Sequence, residues 1–471
     1  MTENGRYAVL LMAVLSFGLG IFHLVSNDLW WHLRSGQWVL ENMAFPSTDP
    51  FSYTAEGRRW IYHNWLFDIP LFAVNKFFGI NGLIIYRGLL IGILGFSVYR
   101  LLRIHTAPNI AATLTVLALS AVRIRFFLRP SLASFILFAL LFAALTILYE
   151  KEKINFRDWW PIPILFAVWA NLHAGVIFGI ILLASFLISS VVERKDSKGF
   201  LFVLAASAVF GLINPNFHQV YLYSFKYLAF KSAMAVTNIE HMPPAGILED
   251  AQTLVFWLAA YIFGLLFLIR IRHAKPYLWI LAAGLAYLAF TSLRGVPFFT
   301  ITIIAAAASV WGSGKKLSFT LPFPAAALLM GVIALAAVFT QPQRIKFETA
   351  PRAFPVSAVD FVEKTGLTGK MFNSHPFGGY LIYRLYPGRK VFVDGRDLLH
   401  EKTIKLIAKH GYMRTLNAFG VEWIIAGYRD EVLKGLPNNE WSVVFSDDIS
   451  VILARRGGEN EGIIEEYGRP L

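Results

Sequence analysis

An aspartate and a histidine four residues apart head the segment Asn27-Asp28-Leu29-Trp30-Trp31-His32-Leu33-Arg34. On a helix, Asp28 and His32 share one face. A carboxylate oriented by an imidazole is a general base, and the same pair also suits two ligands of one metal ion. Asp28 falls within about one turn of the end of a long apolar run, where an ionisable group is costly unless it is paired or used. Trp30 and Trp31 read as interfacial belt residues or as surfaces on which a sugar stacks.

Further polar groups follow in Pro46-Ser47-Thr48-Asp49-Pro50-Phe51-Ser52-Tyr53-Thr54 and in Gly57-Arg58-Arg59-Trp60-Ile61-Tyr62-His63-Asn64-Trp65. This density of proline, turn residues and aromatics predicts an ordered re-entrant or interfacial loop. Asp49 before Pro50 is a turn former, with binding of a sugar or acceptor as the alternative. His63 and Asn64 either start the next helix or point into a cavity.

The elements that position these groups are set by hydropathy. The chain is 56% hydrophobic and 15% charged, a balance that requires a bilayer as solvent for much of it. Apolar runs predict eleven spans, at 6–26, 81–102, 108–122, 131–149, 159–171, 174–192, 199–213, 251–271, 277–292, 296–312 and 319–340. The first is read as a retained helix, because only Arg6 precedes it and no small-residue cleavage pattern follows. Residues 65–78 read as an interfacial helix.

With no cysteine there is no disulfide framework, zinc-thiolate site or thiol nucleophile. Nothing points to nucleic acid as a partner.

Lys and Arg cluster after alternate spans, which places those turns and the N-terminus in the cytoplasm. The opposite face then carries the loops 27–80 and 214–250. It also holds an unusual set of arginines: Arg34, Arg58, Arg59, Arg123, Arg125, Arg129 and Arg294. A guanidinium fork binds phosphate bidentately, so these are candidate ligands of a lipid-linked phosphate, with plain headgroup contact as the alternative. Loop 214–250, with Asn214, Pro215, His218, Glu240 and His241, reads as a lid or as an ordered surface loop.

After Gln341 the character changes. The remaining residues hold 18 of the 43 Lys and Arg and 16 of the 30 Asp and Glu, and short apolar runs alternate there with helical ones. That pattern predicts a transmembrane domain over 1–340 and a small soluble α/β domain over 341–471. Strands are expected near 370–373, 390–393, 423–426, 441–445 and 450–454. Asp394-Gly395-Arg396-Asp397 should end a strand in open turn chemistry, where acceptor or a partner would bind. Gly378-Gly379 reads as a tight turn, or as amides that hold an anion.

An aspartate after the first span, a long aromatic outer loop and a C-terminal outer domain together resemble the GT-C superfamily of membrane glycosyltransferases. The stretch from Asp28 to Trp65 is similar to a bacterial multispanning branch related to protein mannosyltransferases and aminoarabinose transferases. The same resemblance is carried by Arg129-Pro130-Ser131, Trp169-Ala170-Asn171-Leu172-His173-Ala174-Gly175, Asn214-Pro215 and Arg294 before Pro297-Phe298. In the tail it is carried by Phe377-Gly378-Gly379-Tyr380-Leu381 and Val391-Phe392-Val393-Asp394-Gly395-Arg396.

The resemblance implies transfer of a sugar from a polyprenyl-phosphate-linked donor to a glycan, lipid or protein acceptor. The setting it implies is the outer face of a bacterial cytoplasmic membrane, among membrane lipids. Asp28 with His32 would be catalytic. Arg129, Arg294, His173, Arg125 and Arg123 would hold the donor phosphate. Asp49, His63, Asn64, Trp31, Glu240, Asp394 and Arg396 would contact sugar or acceptor. A divalent metal ion is the one candidate cofactor. The frequent adjacent second acid is missing, since Asn27 and Leu29 flank Asp28, and this favours a general base over a metal ligand. Two other readings stay open: a silent member of the fold that binds lipid-linked sugar or scaffolds an envelope complex, and a transporter.

Overall fold

A computed structural model describes residues 3–229, 242–244, 251–312, 321–340, 348–349 and 353–470. The chain divides into two compact units, one of residues 1–23 and 77–348, the other of residues 24–76 and 349–471. Sequence alone groups the first outer loop with the helices that flank it. The structure groups it with the C-terminal segment.

The first unit is helical because its segments are apolar on nearly every face and a helix satisfies its own backbone. Proline starts several helices, where its missing N–H costs nothing: Pro108–Val122, Pro161–Leu172 and Pro276–Thr291. Among the described residues, Trp65–Leu102, Ser131–Tyr149 and Leu293–Gly312 are long and apolar enough to cross a membrane. Val176–Val192, Ser197–Phe210, Thr253–Ile269, Pro276–Thr291 and Phe323–Phe339 are shorter apolar helices.

The helix Val296–Gly312 is nearly all buried, whereas Leu265, Leu328 and Phe339 are exposed. That is the arrangement of a helical body whose outer solvent is apolar. Trp65–Leu102 is broken at Gly79, which has a φ of 59°. The break separates 65–78 from 81–102, as hydropathy suggests.

The first helix, Glu3–Leu19, ends short of the expected residue 26. Beyond it, Arg87 donates from Nε to the Gly20 carbonyl at 2.7 Å and from Nη2 to the Phe22 carbonyl, with its guanidinium 3.5 Å from the Phe22 ring. A buried arginine thus satisfies backbone carbonyls that follow the helix end.

The second unit is built on a four-stranded sheet of order β1-β2-β4-β3, with β1 Lys370–Asn373, β2 Val421–Gly427, β3 Trp441–Ser446 and β4 Ser450–Arg455. β1 and β2 are parallel, and the other pairs are antiparallel. The run 390–393 is not a strand of this sheet. Its one ladder contact is the bridge between Val391 and Ser52. Val391 N–H donates to Phe51 O at 3.0 Å, Tyr53 N–H to Val391 O at 3.2 Å, and Phe392 N–H to the Asn373 side chain at 2.8 Å. Its β-branched residues found a partner 340 residues away in the chain rather than in the sheet. Tyr53 also packs into the core around Phe372, Phe392 and Leu416, and its hydroxyl donates to Met371 O at 2.8 Å.

Candidate functional site

Asp28 opens the helix Asp28–Asn42, where a carboxylate in the first turn complements the helix dipole. Two glycines let the C-terminal segment approach this helix start. A side chain at Gly379, in the helix Gly378–Leu385, would run into the Asn27 carbonyl, and one at Gly395 would run into the Asp28 carboxylate. Close backbone approach, rather than a turn or an anion, therefore explains the glycine at 379. Trp31 Nε1 faces the same side of Gly395, and this buried donor has no hydrogen-bond partner among the described residues.

His375 enters from the turn that follows β1. Its Nε2 lies 2.8 Å from Asp397 Oδ1. Burial works against its charged form, but Asp397, with Asp28 and Asp394 behind it, raises its pKa above the ordinary histidine value.

Arg396, Asp394, Asp49 and His400 form a buried ionic cluster. Arg396 donates from Nη1 to Asp49 at 2.6 Å, and from Nε and Nη2 to Asp394 at 2.7 and 2.6 Å. Its guanidinium sits over Trp60 at 4.6 Å and Phe51 at 5.2 Å. Asp394 also receives His400 Nε2 at 2.9 Å. Burial pushes the Asp394 carboxyl up, but Arg396 and His400 outweigh it and hold its pKa well below the usual carboxylate range. Asp49 forms its turn as expected, accepting from the Phe51 and Ser52 amides at 3.0 and 3.1 Å and from the Ser52 hydroxyl.

The Asp28–His32 spacing does fall on one helix, yet His32 is held elsewhere. Its Nδ1 is 2.7 Å from Asp68 Oδ1, and the Tyr62 hydroxyl donates to Asp68 Oδ2 at 2.9 Å. All three side chains are buried. Gly36 packs on the Asp68 carbonyl, so the pair sits where two helices touch.

Trp30 and Trp31 are also buried, which corrects the interfacial-belt reading. Trp30 packs edge-on against Phe354 and Tyr380, and Trp31 stacks on His32 at 3.6 Å. Asn64 starts a helix, its carbonyl accepting from Phe67 and Asp68 at 2.9 and 3.0 Å. His63 donates from Nδ1 to Ile61 O at 3.0 Å, and burial, aided by nearby His32, lowers its pKa to about 4.

The helical unit gathers other residues expected to act. His173 follows the helix Pro161–Leu172, and its Nδ1 accepts from the Gly175 amide at 3.0 Å. The Ser134 hydroxyl, 2.8 Å away, must then donate to the same nitrogen, and Ser134 in turn accepts from Trp169 Nε1 at 2.7 Å. These bonds fix the tautomer with the proton on Nε2. They also tie the motif Trp169 to Gly175 to the helix Ser131–Tyr149.

Arg123 is fully buried and donates to the carbonyls of Leu19 and Ala337, each at 3.2 Å, which caps two helices. Arg125 and Arg129 flank the Phe127 ring at 5.8 and 5.2 Å. Arg294 lies in a single turn ahead of Val296–Gly312 and is half-buried. Glu240 and His241 lie outside the described residues.

Sequence reasoning missed Asp68, Tyr62, His375, Asp397 and His400. Asp397 closes the motif Asp394-Gly395-Arg396-Asp397 and Tyr62 lies in the aromatic segment 57–65, but neither was assigned a role, and nothing local marks the other three. Among the described residues, no group of three or more His, Asp or Glu is placed to hold a metal ion.

No family model matches the chain, and no curated protein matches it. Solved structures do. The archaeal oligosaccharyltransferase AglB from Archaeoglobus fulgidus, in complex with an inhibitory peptide and a dolichol-phosphate, superposes with a TM-score of 0.64 at 12% identity, over 97% of this chain and 74% of that one. The oligosaccharyltransferase of the same organism, tethered to an acceptor peptide, gives 0.60 at 13% identity over 90% and 69%. ArnT from Cupriavidus metallidurans, bound to undecaprenyl phosphate, gives 0.54 at 13% identity over 97% and 99%. The chain has the GT-C fold of these transferases.

Proposed function

We propose that the protein is a membrane glycosyltransferase that moves a sugar from a polyprenyl-phosphate-linked donor to an acceptor on the outer face of a bacterial cytoplasmic membrane. The observation that carries this reading is the position of Asp28: it heads a helix in a GT-C fold, with its carboxylate against Gly395. Neighbours of the same fold are bound to dolichol-phosphate, undecaprenyl phosphate or peptide, which supports a lipid-linked donor.

In this reading the helices make eleven crossings, the N-terminus is cytoplasmic and the C-terminal segment is outside. Attack by an acceptor hydroxyl needs a base, and Asp28 is that base. The leaving lipid phosphate gains charge and needs fixed donors, which Arg129, Arg294 and the Nε2–H of His173 would supply.

The test is transfer of radiolabelled sugar from a panel of defined polyprenyl-phosphate donors by the purified full chain, wild type against Asp28→Asn. A loss of about 10²-fold or more is expected for a missing general base. Equal transfer by both would remove Asp28 from catalysis. Activity is expected to survive EDTA; loss restored by Mg²⁺ or Mn²⁺ would make Asp28 a metal ligand instead.

A further inference from the structure

The imidazole expected to assist Asp28 is His32, but His32 is occupied by Asp68 in a buried helix contact. Another histidine is better placed. Two chain segments meet the head of the Asp28 helix, Gly379 on the Asn27 carbonyl and Gly395 on the Asp28 carboxylate, and the pair His375–Asp397 ties these two segments together. His375 lies four residues before Gly379, and its partner Asp397 lies two after Gly395. Its side chain is about one-fifth exposed.

We infer that His375, anchored by Asp397, is the proton-handling partner of Asp28. The inference rests on the transferase reading above. An aspartate that binds one ring nitrogen orients the other toward the chemistry and stabilises the imidazolium when it forms. Here Nε2 is held by Asp397 and Nδ1 is the working atom. The acceptor oxygen bonds to the anomeric carbon while that carbon's bond to the phosphate oxygen breaks, and the electron pair leaves with the lipid phosphate. The hydroxyl proton passes to the Asp28 carboxylate and on to Nδ1 of neutral His375.

The charged groups acting on His375 are Asp397 and Asp394 from its own segment's neighbour and Asp28 from the helix head. Burial opposes the imidazolium, but all three carboxylates favour it and together raise the ring's proton affinity.

The experiment follows His375 in the full chain labelled with ¹³C and ¹⁵N histidine, its signal assigned by loss in His375→Gln. Asp28→Asn should weaken proton binding at His375 roughly two- to tenfold, the effect of removing one nearby charge at intermediate dielectric. Asp397→Asn should weaken it more. In the transfer assay, wild-type kcat should rise with pH through the measured midpoint, because the neutral ring is the acceptor. His375→Gln should lower kcat about 10²-fold and abolish that limb, with donor KM unchanged. An unmoved midpoint in Asp28→Asn, or a wild-type rate in His375→Gln, would overturn the inference. Coupling without any transfer by the wild type would support the pairing and count against the transferase reading alone.

Discussion

Arg396→Met is the sharpest perturbation of the second unit. Its guanidinium makes three charge-assisted bonds of 2.6–2.7 Å to two carboxylates and lies against two aromatic rings, almost fully buried. Methionine keeps much of the apolar stem and removes the fork. Asp49 retains the Phe51 and Ser52 amides, and Asp394 retains His400. Neither retains a permanent cation.

Removing one partner of a buried ion pair costs about 3–5 kcal/mol, because the other charge stays desolvated. In a unit of roughly 150–250 residues, about 1 kcal/mol shifts Tm by 2–4 °C, so the expected drop is about 6–20 °C. Thermal unfolding followed by tryptophan fluorescence reads it directly, since Trp60 lies on the guanidinium. Arg396→Lys should fall between the two, because an ammonium cannot span both carboxylates. A Met variant within about 1 kcal/mol of wild type would show that this cluster does not hold the outer loop to the segment 394–400.

The cluster also sets an acid limit. Asp394 titrates lower folded than unfolded, so its contribution is full above about pH 4 and lost as the pH falls from there toward the depressed value.

Other perturbations separate the remaining contacts. Gly379→Ala places a methyl group on the Asn27 carbonyl and should cost about 1–3 kcal/mol while shifting the Asp28 helix; transfer should fall more than stability does, and normal transfer would argue against the close approach. Ser134→Ala leaves the buried Trp169 indole N–H without its acceptor, at a cost of about 1–3 kcal/mol, read from thermal unfolding. His63 is held neutral by burial, so its contribution is full above about pH 6.5 and declines toward pH 4, one proton being taken up on unfolding. His63→Asn should remove that part of the pH dependence, and an unchanged profile would assign it to another group.

What could be read from the sequence was whatever rests on short range. Hydropathy marked apolar helices such as Ser131–Tyr149 and Val176–Val192 close to their bounds, and the Gly79 break falls where 65–78 was separated from 81–102. Asp49 was read as a turn former, and its two amide bonds to Phe51 and Ser52 are that turn. Its third partner, Arg396, lies 347 residues away, and no local pattern signals such a pair. Asp68 was given no role within the interfacial helix 65–78, because its partners His32 and Tyr62 come from outside its own helix. The run 390–393 has the composition of a strand and yet only a single bridge, since propensity reports fitness for pairing and not the identity of the partner.

The glycine contacts at 379 and 395 have a consequence for how the protein is made. The segment 24–76 emerges early, but the segment that completes its unit begins at Thr349, some 270 residues later. At roughly 5–20 residues per second, the ribosome needs about 14–55 s to cover that gap. Throughout it, the loop bearing Asp28 must wait without its sheet, its buried arginine or its histidine partner. Only a chain translated past Arg396 can bring Gly395 onto the Asp28 carboxylate and Arg396 onto Asp49.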